Sequence, residues 1–453
     1  MENQKNSAAA LELKTQSVGK LLLKYSIPTI VGMMVFAFYN IIDRIFIGRA
    51  VGSMGIAAVG ITYPIFMILI AFGMLVGIGA GTLVSIKLGA GHRDEAEKIL
   101  GNALTVLIIL SVISTIAGLF YLENILLAFG ASQNTLGYAC DFMRIIFLGI
   151  IFSFVAMGLN NVIRAEGNPG LAMGTMLIGS IINILLNPLF IFVFKLGVAG
   201  SALATLVSNL VSSAWVIWHF TRGKSNIKLR ARNMVIEFSI IKQIFFIGLS
   251  PFITQLAGSV VGIAMNKNML LYGGDIGVSA LGIISGLTMS LMMPIIGISQ
   301  GAQPIIGFNY GAGEYARVKK AINLSCIWAT AISALVFTAA YAAPEFIIKI
   351  FDSRTPELIT VGTHGMKIFM IGVIFLGFQI VGTNYFQAVG KPKTSIFLTM
   401  LRQIILLVPF VYIFPYFWKL DGLWLAMPAA DIITSAVVFF VLSSEMKRLR
   451  KEI

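Results

Sequence analysis

Apolar stretches of about 20 residues recur from one end of this sequence to the other, and each is long enough to cross a bilayer as a helix. Twelve are legible, at roughly 21–48, 55–87, 98–120, 140–164, 172–195, 198–220, 244–272, 278–307, 319–341, 365–388, 395–417 and 421–444. A chain so written has few other folds open to it. Of 453 residues, 58% are hydrophobic and only 11% charged, at a mean hydropathy of +0.91, too apolar for a soluble globular protein. The first run is too long for a signal peptide and lacks a small-residue cleavage site, so it reads as a retained helix. The expected fold is an all-α integral membrane protein with twelve transmembrane helices.

The net charge of +14 raises the question of nucleic acid, and its distribution answers it. If the N-terminus is cytoplasmic, inside segments carry Lys5, Lys14, Lys20 and Lys24, then Lys87, Arg93, Lys98 and Arg164. They also carry the basic residues from Arg222 to Lys242, Arg317 to Lys320, Lys391, Lys393 and Lys447 to Lys451. Outer segments carry few, among them Arg49, Lys195, Lys349 and Lys419. This asymmetry is the positive-inside rule, and it places both termini in the cytoplasm. The partner it implies is a lipid bilayer, with no nucleic acid.

Residue chemistry argues against an enzyme. Cys140 and Cys326 form no disulfide or zinc pattern, and His92, His219 and His364 lie in separate segments without ligand spacing. "RGKS" at Arg222–Ser225 has Trp218 where a phosphate loop needs its first glycine, and no strand precedes it. Paired catalytic acids are missing as well. No cofactor and no metal are expected, beyond a monovalent cation at the acid described below.

The chain is also written twice. "SIPTIVGMMV" around Pro28 is matched by "LSPFITQLAG" around Pro251, and "KLGAGHRDEAEKIL" by "NYGAGEYARVKKAI". "IRAEGNPG" is matched by "FQAVGKPKT", which pairs Gly167 with Gly390. The offset is 222 or 223 positions each time. Two parallel six-helix repeats follow, related by a pseudo-two-fold along the membrane normal, with a substrate site between them and rocking as the means of alternating access. The expected parts are a cytoplasmic segment 1–20, a first lobe 21–221, a basic linker 222–243, a second lobe 244–444 and a basic tail 445–453. Glycines at helical spacing (Gly73, Gly77 and Gly81, then Gly297 and Gly301) allow close packing of the second helix of each half.

Together the paired Gly-Ala-Gly loops, the "RAEGNP" and "QAVGKP" turns, "YNIIDRIFIGR" and "NILLNPLFIFVFKLGVAGSALAT" resemble the multidrug and toxic compound extrusion (MATE) family over essentially the whole chain. The resemblance is nearest to the bacterial DinF- and MepA-like branch. It implies a multi-pass protein of the bacterial cytoplasmic membrane, a monomer, exporting organic cations or amphipathic drugs in exchange for H⁺ or Na⁺.

Asp43 is the acid that needs explaining, because a charge at the bilayer centre costs roughly 2.5–3.5 kcal/mol. It lies in the outer half of the first helix, and Asn40, three residues before, shares its face. Arg44 points about 100° away and can snorkel to the headgroups. Asn183 and Asn187 stand one turn apart on the fifth helix at similar depth, and Thr205 on the sixth. These oxygens suit a small hard cation or a titrating carboxyl. The resemblance carries the family's first-lobe cation site onto Asp43, Asn183, Asn187 and Thr205. The family commonly has aspartate where Asn187 stands, so one formal charge replaces two, and H⁺ is favoured over Na⁺. In the second half Asp43 is matched by Asn266, and Gln255, Gln379, Asn384 and Gln387 do not supply the family's acids.

Asp431 and Arg402 are further mid-span charges, able to pair across helices or to line a cavity. Cavity candidates are Met33, Phe36 and Tyr39 on the first helix, with Asn266 and Asp431. Met and aromatic side chains suit varied amphipathic cations. The competing reading is a flippase or exporter of a lipid-linked or amphipathic metabolite, although no cluster of cavity arginines is visible. A passive channel is disfavoured because no filter loop appears.

Overall fold

A computed structural model describes residues 11–352 and 354–451, apart from the side chains of Asn40, Ser53 and Leu291. Lys5 and the side chain of Asn40, both invoked above, therefore lie outside the described residues. Every regular element among the described residues is helical. Among the described residues, ten apolar helical stretches are long enough to cross a membrane. Two of them, Phe238–Gly311 and Pro392–Arg450, are interrupted by the non-helical residues Gly274 and Lys419, which makes twelve spans.

In chain order these are α1 (Val18–Val51), α2 (Ser53–Gly89), α3 (Arg93–Phe120), α4 (Gln133–Ala165), α5 (Pro169–Pro188, continued by a π-helical turn Leu189–Val193) and α6 (Gly197–Thr221). Then come α7 (238–273), α8 (275–311), α9 (Tyr315–Ala342), α10 (Pro356–Ala388), α11 (392–418, with a π-helical stretch Leu401–Leu407) and α12 (420–450). Short helices Leu122–Ala128 and Pro344–Phe351 precede α4 and α10.

The repeat is visible in the backbone itself. Left-handed glycines close equivalent turns: Gly52 (φ 77) and Gly274 (φ 58) after α1 and α7, Gly91 (φ 82) and Gly313 (φ 72) after α2 and α8. Such φ values strain any residue with a Cβ, which ties the recurrent glycine to the turn.

By internal contacts the chain forms two units, one of Met1–Gln16 with Val31–Phe252, the other of Ser17–Ile30 with Ile253–Ile453. Within the first unit, α2 packs on α4 without side chains between them: a Cβ on Gly77 would lie 2.7 Å from Gly158 Cα, and one on Gly81 3.0 Å from Asn161 O. The beginning of α7 belongs to this unit and lies closer still to α2, for a Cβ on Gly248 would overlap Leu75 O. Within the second unit, Gly297 and Gly301 of α8 meet Ile30 and Ser26 at the start of α1. Glycine lets helix backbones approach to van der Waals contact, which substitutes for the hydrophobic drive that lipid does not supply. Each unit holds its own apolar core, one around Leu100, Phe154 and Leu159, the other around Met366, Met370 and Trp424.

Candidate functional site

The first unit builds a polar cluster from α1, α5 and α6. Its geometry starts with Pro188. Proline has no N–H, so a helical hydrogen bond is missing directly after Asn187, and the chain widens into the π turn Leu189–Val193, where Phe194 N bonds to Leu189 O at 3.0 Å. Gly200 of α6 seats against this turn: a Cβ there would lie 2.9 Å from Phe190 O. That approach carries the next residue, Ser201, into the interior, where it is fully buried.

The side chains then connect in sequence. Asn187 Nδ2 donates to Asp43 Oδ1, and Ser201 Oγ donates to the same oxygen. Asn187 Nδ2 also reaches Asn183 Oδ1 at 3.5 Å, and Asn183 Nδ2 donates to Thr205 Oγ1 at 3.1 Å. Asn183 and Asn187 are buried at 2% and 1% exposure, so water does not serve them freely. Yet Asn187 Oδ1 is buried with no hydrogen-bond partner. An unpaired buried carbonyl oxygen beside a carboxylate costs on the order of 1–3 kcal/mol, and a bound cation or a proton donor would recover it. The oxygen-rich donor set thus fits a small monovalent ion or a proton on Asp43.

Four sequence-identified residues, Asp43, Asn183, Asn187 and Thr205, are therefore brought together. Ser201 was missed. It stands four residues before Thr205, on the same helical face, and that spacing was the signal available. Arg44 does not simply extend outward: its guanidinium lies over the Tyr63 ring at 5.5 Å, a cation–π contact. Met33 and Tyr39 are half-buried and Phe36 is exposed, with Phe36 and Tyr39 edge to face at 5.0 Å. Asn266 is an exposed residue of the second unit. In that unit Arg402 Nε lies 2.7 Å from Asp431 Oδ1, so this pair spans α11 and α12.

A second buried cluster escaped the sequence reading. Glu166, between α4 and α5, is 2% exposed and contacts His219 Nε2, Ser225 Oγ and Asn168 Nδ2 (2.9 Å), while Asn226 N donates to it at 3.1 Å. "RGKS" is thus a turn closed by a carboxylate. Nearby, buried Glu97 faces Arg93 Nε and Arg230 Nε at 3.6 and 3.5 Å and accepts from Lys228 N at 3.1 Å. These contacts, with Thr105 Oγ1 donating to Met234 O at 2.9 Å, fasten the basic segment after α6 to its own unit.

Comparison with known proteins agrees with this architecture. The MatE family model matches twice, over residues 28–189 and 251–413, once for each repeat. Multidrug export protein MepA of Staphylococcus haemolyticus is 27% identical over 433 residues, 96% of this chain and 95% of that protein. A multidrug resistance MATE family transporter of the MOP superfamily, solved in an outward-facing conformation, superposes with a TM-score of 0.91 at 25% identity, covering 97% of this chain and 98% of that one. A MOP superfamily transporter from Pyrococcus furiosus Vc1, described as having a binding pocket of reverse polarity, gives 0.91 at 25% identity with the same coverage of 97% and 98%.

Proposed function

The chain belongs to the MatE family, and from that premise we propose that it exports amphipathic, often cationic, drugs or toxic compounds in exchange for a cation, by alternating access. The MepA relatives, whose names describe multidrug export, support the substrate class. The protein then works as a monomer in the bacterial cytoplasmic membrane with both termini inside.

One observation carries the coupling. Asp43 is held through a single oxygen by Asn187 and Ser201, next to the orphaned Asn187 Oδ1. A proton arriving on Asp43 removes the negative charge that organises the Asn187 and Ser201 donors. The α1–α5–α6 contact loosens, and that change is the step passed to substrate release. With Asn187 in place of a second acid, H⁺ is favoured over Na⁺, because a second nearby carboxylate is what strengthens a monovalent cation site.

The test is dye efflux from proteoliposomes under an imposed pH gradient and, separately, an imposed Na⁺ gradient. Concentrative efflux under the pH gradient alone is expected. Equal leak of dye with and without either gradient would refute coupled export.

A further inference from the structure

The pairing of Arg402 with Asp431 is incomplete. Arg402 Nε meets Asp431 Oδ1 at 2.7 Å, but no other described contact engages the remaining N–H groups of the guanidinium. Asp431 Oδ2 likewise receives no described hydrogen bond; what lies beside it is Gly372, where a Cβ would come within 3.0 Å. Asp431 is almost wholly buried, whereas 19% of the Arg402 side chain is accessible. An ion pair kept for structure inside a membrane is expected to be satisfied at several points, because each unpaired group is costly there. Hydrocarbon does not receive a bare guanidinium edge either.

Position argues the same way. Arg402 lies on α11 about 15 Å along the helix from Pro392 at 1.5 Å per residue, well inside the span. It sits in the π-helical stretch Leu401–Leu407, a distortion that often accompanies functional sites. The repeat counterparts, 223 positions earlier, are Gly179 and Ser208. Gly179 has no side chain, and Ser208 Oγ donates to Thr205 O at 2.9 Å within its own helix. The shared fold therefore does not require a charge pair at this place.

We propose that Arg402 is a docking point for the carboxylate of an amphipathic ligand. The guanidinium is planar, and its free edge presents two parallel N–H groups, the geometry that takes a carboxylate in two bonds. Asp431 holds the Nε side and so orients that edge. Such a contact holds the acid end of a transported amphipath at one fixed point of the second unit. The inference rests on the export reading for its transport consequence, while binding tests it independently.

The experiment measures binding of rhodamine 110, which has a free carboxylate, and rhodamine 123, its methyl ester, to the full-length protein in phosphatidylcholine nanodiscs. In the wild type rhodamine 110 is expected to bind about tenfold tighter than the ester, as a charge-assisted two-point contact implies. In the Arg402→Gln, Asp431→Asn double variant, which strands neither charge, the ratio of affinities falls to about one. Arg402→Lys keeps the charge but not the fork, and its ratio is expected between those two. A wild type without preference for the free acid, or a preference that survives both variants, overturns the proposal. Dye efflux from proteoliposomes, read in parallel, judges the export reading: a protein that binds with the expected ratios yet moves neither dye refutes export and leaves the binding site standing.

Discussion

Asn187 donates its amide N–H to Asp43 while its own carbonyl oxygen, buried in the same cluster, has no partner. The residue is therefore half used. It stabilises the one acid of the cluster and leaves a buried acceptor unpaired, which in the proposed coupling an arriving proton or cation completes. The lone charge and the spare acceptor together define what mutation should do.

Replacing Asp43 by Asn removes the titrating group and keeps the side-chain shape. Concentrative dye efflux should be lost while expression and membrane insertion stay near wild type. A mutant that still concentrates dye against its gradient places the coupling elsewhere.

Asn187→Asp sets a second carboxylate within hydrogen-bonding distance of the first. Two acids attract a monovalent cation more strongly than one, so efflux at fixed pH should become more dependent on Na⁺ than in the wild type. Titrating Na⁺ in both forms reads this directly. Strong and equal Na⁺ dependence in the two would contradict the account of Asn187.

Glu166 is enclosed by His219, Ser225, Asn168 and Asn226, and Glu166→Ala leaves those polar groups facing a cavity. Breaking a buried pair from one side costs about 3–5 kcal/mol, so thermal stability of the detergent-solubilised protein should fall clearly. An unchanged melting curve would mean that the cluster does not hold the segment after α6.

Gly79 and Gly248 seat the start of α7 on α2. A Cβ on Gly79 would overlap Ile244 O, and both obstructing groups at this seam are backbone, which cannot rotate away. Gly79→Ala or Gly248→Ala should cost at least the roughly 1–3 kcal/mol of an overpacked core. Gly174→Ala, with nothing within 4 Å, should be neutral or slightly stabilising by the same measurement of heat-resistant monodisperse protein.

Topology has its own check. Ala90 and Ala312 precede the left-handed glycines of equivalent loops. Cysteines placed there, with Cys140 and Cys326 replaced, should both react with an impermeant maleimide from the cytoplasmic side only. Labelling from opposite faces would be incompatible with parallel repeats.

What the sequence by itself determined is what depends on local or repeated information. Span length and hydropathy marked the helices. The constant offset marked the two halves, and the same offset reappears in the left-handed glycines Gly52 and Gly274, because a positive φ favours that residue whatever surrounds it. Asp43, Asn183, Asn187 and Thr205 could be gathered by depth, since rise per residue is the same on every helix. Tertiary structure decided the rest. Ser201 became a ligand of Asp43 only because Pro188 and Gly200 let α6 settle against a widened turn. Glu166 found Ser225, and Arg402 found Asp431 with an edge to spare, through helix rotations that hydropathy does not record. The starts of α1 and α7 packed outside the half that their sequence order assigns them, because glycines on α8 and α2 let them lie closer there than side chains would allow. Periodicity says which face of a helix is apolar; which neighbour that face meets, and at what rotation, is settled by close packing across residues more than a hundred positions apart.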